Sequence, residues 1–116
     1  MDKMVAKLDR LYPKIKIGKH CHMCNKPATD VHHIVRRDNY VLRFDLNNLL
    51  PLCRDCHRLI HDKGEDVLLY ISWSRAEYLR TLKNIQLQDY LLINGLTKEE
   101  FFKRKERELL EEICNV

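Results

Sequence analysis

Three glycines and three prolines in 116 residues leave no Gly-, Ser- or Pro-rich stretch that could act as a flexible linker. No internal repeat is visible either. The longest uninterrupted apolar run, Val67 to Ile71, falls far short of the ~20 residues that a membrane-crossing helix needs. Residues 1–7 hold no apolar core of the kind that a secretory signal requires. These absences lead us to expect a cytoplasmic chain with no membrane partner. Thiols stay reduced in that compartment, and closely spaced cysteines there serve zinc more often than disulfides.

The length suits one domain over 1–116, with a core small enough that a structural metal would add usefully to folding. Net charge is +4 and uneven. Residues 1–63 carry 13 Lys/Arg against 7 Asp/Glu, or +6; residues 64–116 carry 8 against 10, or −2. The basic half suits a polyanion, most simply nucleic acid, and is equally compatible with ordinary solvation.

Three parts are expected: an N-terminal helix and basic lead-in (1–19), a chemistry-bearing core (20–63) and a helical extension (64–116). Met4, Val5, Leu8 and Leu11 form a near-helical stripe that Pro13 should end. A short basic loop or strand follows over 14–26. Thr29 to Val35 reads as a strand, Tyr40 to Phe44 as a second extended piece, and Asp45 to Asn48 as a turn. Leu49 to Leu52 contains Pro51 and can only be an edge strand. From Arg54 a helix should run to Lys63, with Gly64 suited to its C-cap. Val67 to Ile71 fits strand or helix. Ser74 and Glu77 have capping-box spacing for a helix reaching about Asn84, Asn94-Gly95 is a stop signal, and Thr97 with Glu100 opens a terminal helix. That last helix carries Phe102, Leu109, Leu110 and Ile113 along one side, to pack on the domain or, less simply, against a second copy. A monomer or weak dimer is expected, with Cys114 a small apolar filler. The fold class is therefore α+β.

What the chain does have is concentrated. All six histidines and four of the five cysteines lie within residues 20–61. Buried imidazoles need partners and surface thiols are costly, so ordinary cores do not gather them this way. Cys21 and Cys24 form one CxxC pair, Cys53 and Cys56 another. Each pair can bring two thiolates to ~2.3 Å from one ion, and the two together complete a closed tetrahedral site of the structural zinc type. The 28 residues between the inner cysteines exceed the usual zinc-ribbon interval of roughly 15–20. A hairpin with its own function, pinned at its base by zinc, accounts for the excess. The competing readings are one incidental pair or a redox centre.

His57 and His61 lie four apart on the expected helix, so their rings share a face and can share an ion. His32 and His33 are neighbours on the expected strand and should point to opposite sides. One of these two would join the metal, and the other would stay free to move a proton. His20 and His22, flanking the zinc loop, are expected at the surface, with contact to the zinc ligands possible.

The run His32-His33-Ile34, then Asn48-Leu49, then Leu52-Cys53 through Cys56-His57 and a further His61 resembles the HNH endonucleases, the His-Me finger nucleases with a ββα-metal core. The resemblance covers residues 20–63, and Asn48 lies fifteen residues after His33 and nine before His57, the family's spacing. The helical start of the chain and the Leu42-Arg43-Phe44 run ahead of Asn47-Asn48 also resemble, more faintly, phage recombination nucleases of the NinG type. What the resemblance implies is a ββα-metal core pinned by Cys21, Cys24, Cys53 and Cys56 on Zn²⁺ and flanked by N- and C-terminal helices. It implies His33 as general base and Asn48, rather than Asn47, as the residue bonding across the hairpin loop. It further implies His32, His57 and His61 around one divalent ion (Mg²⁺, Mn²⁺ or Zn²⁺), with His61 as third ligand or phosphate contact. His57 is then both ligand and catalytic. The products would be a 5′-phosphate and a 3′-hydroxyl, and the source bacterial or phage-encoded. The family's usual Pro and Gly-Gly between the histidines and the Asn are missing here, replaced by the more basic and apolar stretch Arg36 to Phe44.

Arg36, Arg37, Arg43, Arg54 and Arg58 are candidate phosphate contacts, with DNA as the expected partner and phage packaging or recombination proteins as further ones. The alternatives are a non-catalytic zinc-stabilised DNA-binding module and a redox or zinc-scaffolded interaction protein that docks through its acidic tail.

Overall fold

The computed structural model describes residues 2–64 and 66–114. Helix α1 spans Lys3–Leu11. The Asp2 carboxylate caps it by accepting the Met4 N–H at 2.8 Å. Pro13 cannot donate to a continuing α-helix, and the chain tightens into a 3₁₀ turn over Tyr12–Lys16. Val5 and Leu8 from the expected stripe are buried.

Strands β1 (Asp30–His33) and β2 (Leu49–Leu52) form a two-stranded antiparallel sheet that pairs His32 with Leu50 and His33 with Leu49. Both are edge strands, so Pro51 is tolerated, and its carbonyl accepts the His22 N–H at 3.0 Å. Helix α2 (Arg54–Lys63) follows β2 at once, with Cys53 as its N-cap. It stops at Gly64, whose φ of 65° is a left-handed conformation that costs glycine no steric clash. The order strand, long loop, strand, helix is the expected one, and the fold class is α+β.

The sequence expectation fails within the loop. Tyr40 to Phe44 are a compact turn, not extended. Asn39 makes it: its side-chain oxygen accepts the Leu42 N–H at 3.0 Å, and its carbonyl accepts the Arg43 N–H at 2.9 Å. Val41, Leu42 and Phe44 are buried from this turn, so a cluster of apolar residues imitates a strand without being one.

Beyond Gly64, Val67–Tyr70 form a short 3₁₀ helix, the helical one of the two forms that fit this stretch. Helix α3 runs over Trp73–Leu82. Its cap is Ser72, whose hydroxyl accepts the Arg75 N–H at 3.2 Å. The Ser74 box therefore does not open it, and the helix begins and ends about two residues early. Helix α4 (Leu87–Asn94) ends at Gly95 as the stop signal implied, but starts at Gln86 with no side-chain cap to announce it. Helix α5 (Lys98–Cys114) opens with the expected box: the Thr97 hydroxyl accepts the Glu100 N–H at 3.1 Å, and the Glu100 carboxylate accepts the Thr97 N–H at 3.2 Å. Cys114 is exposed, contrary to its expected role as a filler.

Two apolar clusters flank the sheet. Val5 and Leu8 of α1, Ile15, Phe44, Leu49 and the α5 residues Phe101, Phe102 and Leu109 form the larger. Cys21, Leu50, Leu52, Cys53, Cys56 and Val67 form the other. Consecutive residues of β2 thus serve opposite clusters, as a period of two requires. Ile113 packs partly against the first cluster. Leu110 is 44% exposed, so the apolar side of α5 is covered except there.

Candidate functional site

The first CxxC pair sits on a tight knuckle. Asn25 takes a positive φ of 66°, its N–H donates to the Cys21 carbonyl at 2.9 Å, and the isolated bridge between His20 and Pro27 closes the base. Asparagine is among the residues that accept this left-handed conformation most readily. The second pair lies at the start of α2. The knuckle is tied to β2 through His22 and Pro51, and the ligand atoms of Cys21, Cys24, Cys53 and Cys56 all lie within 4.8 Å of one another. Cys24 Sγ and Cys53 Sγ are 3.5 Å apart. That is far beyond a bonded pair at ~2.05 Å and near the roughly 3.8 Å between two sulfurs on one tetrahedral zinc.

Proton chemistry agrees with this geometry. Burial pushes the Cys21 thiol up, but hydrogen bonds from the backbone N–H groups of Cys53, Cys24 and Met23 outweigh it and hold the group at about 6. Burial and three neighbouring sulfurs raise Cys56. Four sulfurs gathered this closely, with Cys21 the readiest to give up its proton, are a donor set that a divalent cation completes. The four cysteines fit a structural zinc site.

The second cluster lies on the α2 side of the sheet. His32 projects from β1 toward His57 and His61 of α2, with ring centroids 5.2 and 5.5 Å away. Nε2 of His57 and Nε2 of His61 are 3.1 Å apart. Two nitrogens each ~2.0–2.1 Å from one tetrahedral ion would be separated by roughly 3.3 Å. Burial first, then the neighbouring rings, push His32 down to about 4 and keep it neutral, as a ligand must be.

Asp30, absent from the expected site, belongs to it. Its carboxylate accepts a hydrogen bond from His57 Nδ1 at 2.9 Å, and that bond holds the Asp30 carboxyl below the usual range. The proton on Nδ1 leaves the Nε2 lone pair facing His32 and His61. The signal was in the period of two: Asp30 and His32 share one face of β1.

His33 occupies the last position of β1, opposite Leu49. Its Nε2–H donates to the Arg43 carbonyl at 2.9 Å, and its ring meets Tyr12 edge-on with centroids 4.8 Å apart. A carbonyl can only accept, so Nε2 carries the proton and Nδ1 keeps a lone pair in the neutral ring. Burial lowers the affinity of His33 for a second proton. A cleft of about 500 Å³ is lined by His33 together with His32, His57 and His61. The adjacent histidines thus sit on opposite faces yet reach one cleft at the end of the strand.

Asn48 is fully buried and spans the loop. It accepts the Val35 N–H at 2.6 Å and donates to the carbonyls of Val35 and Leu42, each at 3.0 Å. Asn47 is exposed and its side chain takes no such role.

The arginines divide. Arg36 and Arg37 are exposed and line the cleft. Arg54 and Arg58 are exposed one turn apart on α2, with Arg54 3.9 Å from Asp30. Arg43 corrects its expectation as a phosphate contact: it is buried and grips Asp9 of α1 at 3.0 and 2.8 Å while donating to the Arg37 carbonyl at 3.0 Å. The fork is fully engaged within the protein, and basic charge alone did not reveal that. His20 and His22 are exposed, as expected; His22 Nε2 donates to the Tyr70 carbonyl rather than toward the sulfurs.

Residues 21–63 match the HNH endonuclease family. The match runs from the first sulfur ligand to the last residue of α2, 43 of the 116 residues, and this segment is similar to an HNH domain. No curated protein and no solved structure matches the chain. The HNH match stops before α3, which nonetheless buttresses the domain. Arg75 donates to the carbonyls of Asn47, Leu49 and Leu46 at 2.7, 3.1 and 3.3 Å, and the Tyr78 hydroxyl donates to Asp45. Neither residue was singled out from sequence, where arginine and tyrosine on a helix look like ordinary surface.

Proposed function

We propose that the protein is a metal-dependent DNA endonuclease that hydrolyses phosphodiester bonds with His33 as general base. The observation that carries this reading is that His33, whose Nε2 bond to Arg43 leaves Nδ1 unprotonated, lines the same cleft as three converging imidazoles. A pure binding module has no need of a free base beside a metal-ligand set.

In this reading the Arg43 carbonyl and the Tyr12 ring fix the plane of His33, and Nδ1 takes a proton from the attacking water. His32, His57 and His61 hold the divalent ion, and Asp30 orients His57. A bound ion supplies Lewis-acid stabilisation of the charge that gathers on the phosphate and the departing 3′-oxygen. Asn48 keeps the loop closed, so that the end of β1 and the Arg43 carbonyl stay in register. Arg36 and Arg37 face the phosphates, with Arg54 and Arg58 farther along α2. The products are a 5′-phosphate and a 3′-hydroxyl, and the four-sulfur site is structural zinc that pins the base of the hairpin.

Nicking of supercoiled plasmid with Mg²⁺, Mn²⁺ or Zn²⁺, wild type beside His33→Ala, tests the reading. Wild type should cleave with at least one ion, and the variant should be slower by about 10²–10⁴-fold. Equal cleavage by both would remove His33 from the mechanism; salt-dependent binding without cleavage under any ion would leave a DNA-binding module.

A further inference from the structure

The histidine cleft does not end at the histidines. A second hollow of about 740 Å³ shares His32, Arg36, Asp38 and His61 with it and runs between α2 and α3. A third, of about 300 Å³, shares Asp38, Asn39, Lys83 and Asn84 with the second and extends to the segment joining α3 to α4. One trench, partly floored by Ile34, Ile60, Val67 and Leu79 and more polar at its far end, therefore leads from the cleft into a part of the chain that lies outside the HNH match.

Its lining has three kinds of chemistry. Arg36, Arg80 and Lys83 supply cations. Lys83 is exposed and has no ion pair among the described residues, whereas Arg80 is held by Glu77 at 2.6 Å. Asp38 and Asp66 also line the second hollow, so charge favours a polyanion only by a small excess. Asn84, Gln86 and Gln88 present amides that can both donate to and accept from base edges. Tyr40 presents a partly exposed ring at the far end; the Arg43 guanidinium lies over it, 5.3 Å from the centroid, and a base can meet only the part of the ring that stays exposed. Hollows of ~300–1,000 Å³ each hold one drug-sized ligand. Joined end to end, they suit a run of linked nucleotides, and exposed amides beside a partly exposed ring are groups that an unpaired base can meet.

We propose that this trench binds an unpaired nucleic-acid strand continuing from the bond that is cut, so that the substrate is single-stranded or carries a single-stranded flank. The proposal deepens the nuclease reading and rests on it for the direction of the strand. Lys83 is assigned a phosphate, Tyr40 a base face, and the amides the base edges between them.

Fluorescence anisotropy tests it, using the full chain with His33→Ala and no added divalent ion, so that cutting is suppressed. The probes are a duplex bearing a single-stranded tail and the same duplex with blunt ends. We expect the tailed duplex to bind about tenfold more tightly, the scale of one stacked base and its phosphate. Adding Lys83→Ala should shrink that preference and lower the slope of log K against log salt by about 0.7. Adding Tyr40→Ala should shrink the preference and leave the slope alone. Lys83 is exposed, so loss of folding does not confuse its result. Equal binding of the two probes, or equal weakening of both by Lys83→Ala, overturns the proposal. A protein that prefers the tail yet cuts no DNA with any ion contradicts the nuclease reading alone. One that cuts without preferring the tail contradicts the trench alone.

Discussion

Single atoms decide the chemistry here. Asp30 fixes which nitrogen of His57 faces its neighbours, through one bond of 2.9 Å. Asp30→Asn keeps the size and removes the charge, so divalent-ion affinity measured by calorimetry should fall about 10–100-fold with the fold intact. Unchanged affinity would mean that Asp30 serves only Arg54. Asn48 makes a larger contribution to stability, because three backbone partners depend on it in a fully buried site. Asn48→Leu should destabilise by about 3 kcal/mol or more in urea unfolding, since each orphaned buried group costs about 1–3 kcal/mol. At this scale the sequence was legible where spacing speaks. The four cysteines, His32, His57 and His61 do converge, and Asn48 rather than Asn47 spans the loop. It was illegible where a partner comes from far along the chain: nothing local marks Arg43 as the partner of Asp9, 34 residues away.

Elements were readable in proportion to the strength of their end signals. Pro13 and Gly64 set the ends of α1 and α2. The Thr97–Glu100 box set the start of α5, while α4 has no capping side chain at its start and was found only by its terminal glycine. Tyr40 to Phe44 misled because three buried apolar residues in a turn look like an extended piece unless the Asn39 hydrogen bonds that close the turn are known. The start of α3 offers a direct check on one such misreading. Ser72→Ala should cost about 1 kcal/mol of stability and Ser74→Ala close to nothing, because only Ser72 accepts the Arg75 N–H. The reverse order would restore the box read from sequence. Helix α3 also reaches back to the turn that carries Asn48. Arg75→Ala removes donors to three carbonyls beside Asn48 and should destabilise by about 1.5–3 kcal/mol. Its thermal unfolding should shift accordingly, and no shift would mean that the turn stands without α3.

The whole molecule combines a small apolar core with a hairpin whose base holds four cysteines that fit a structural zinc. Two clusters on opposite faces of a two-stranded sheet leave little redundancy, and an isolated sheet of that size is marginal in water. Zinc at the four cysteines should therefore carry a visible share of the folding free energy. Thiol titration of the native protein should find Cys114 reactive at once and the other four cysteines only after a strong chelator is added, with a fall in thermal midpoint alongside. Five fast thiols without a chelator would contradict a bound ion. Among the described residues no helix is long and apolar enough to cross a membrane. The uneven charge seen in the sequence has a structural counterpart, since exposed Arg36 and Arg37 lie at the cleft while Glu106 and Glu112 of α5 answer Lys7 and Lys19.

The account depends most on one division of labour, with three imidazoles gripping an ion and a fourth beside them moving a proton. Pairing ion affinity with single-turnover cleavage in His33→Ala and His57→Ala tests that division. His33→Ala should bind the divalent ion as wild type does while cleavage falls by about 10²–10⁴-fold; His57→Ala should lose both. If His33→Ala weakened ion binding as much as His57→Ala, His33 would be another ligand and the protein would have no free base at its centre.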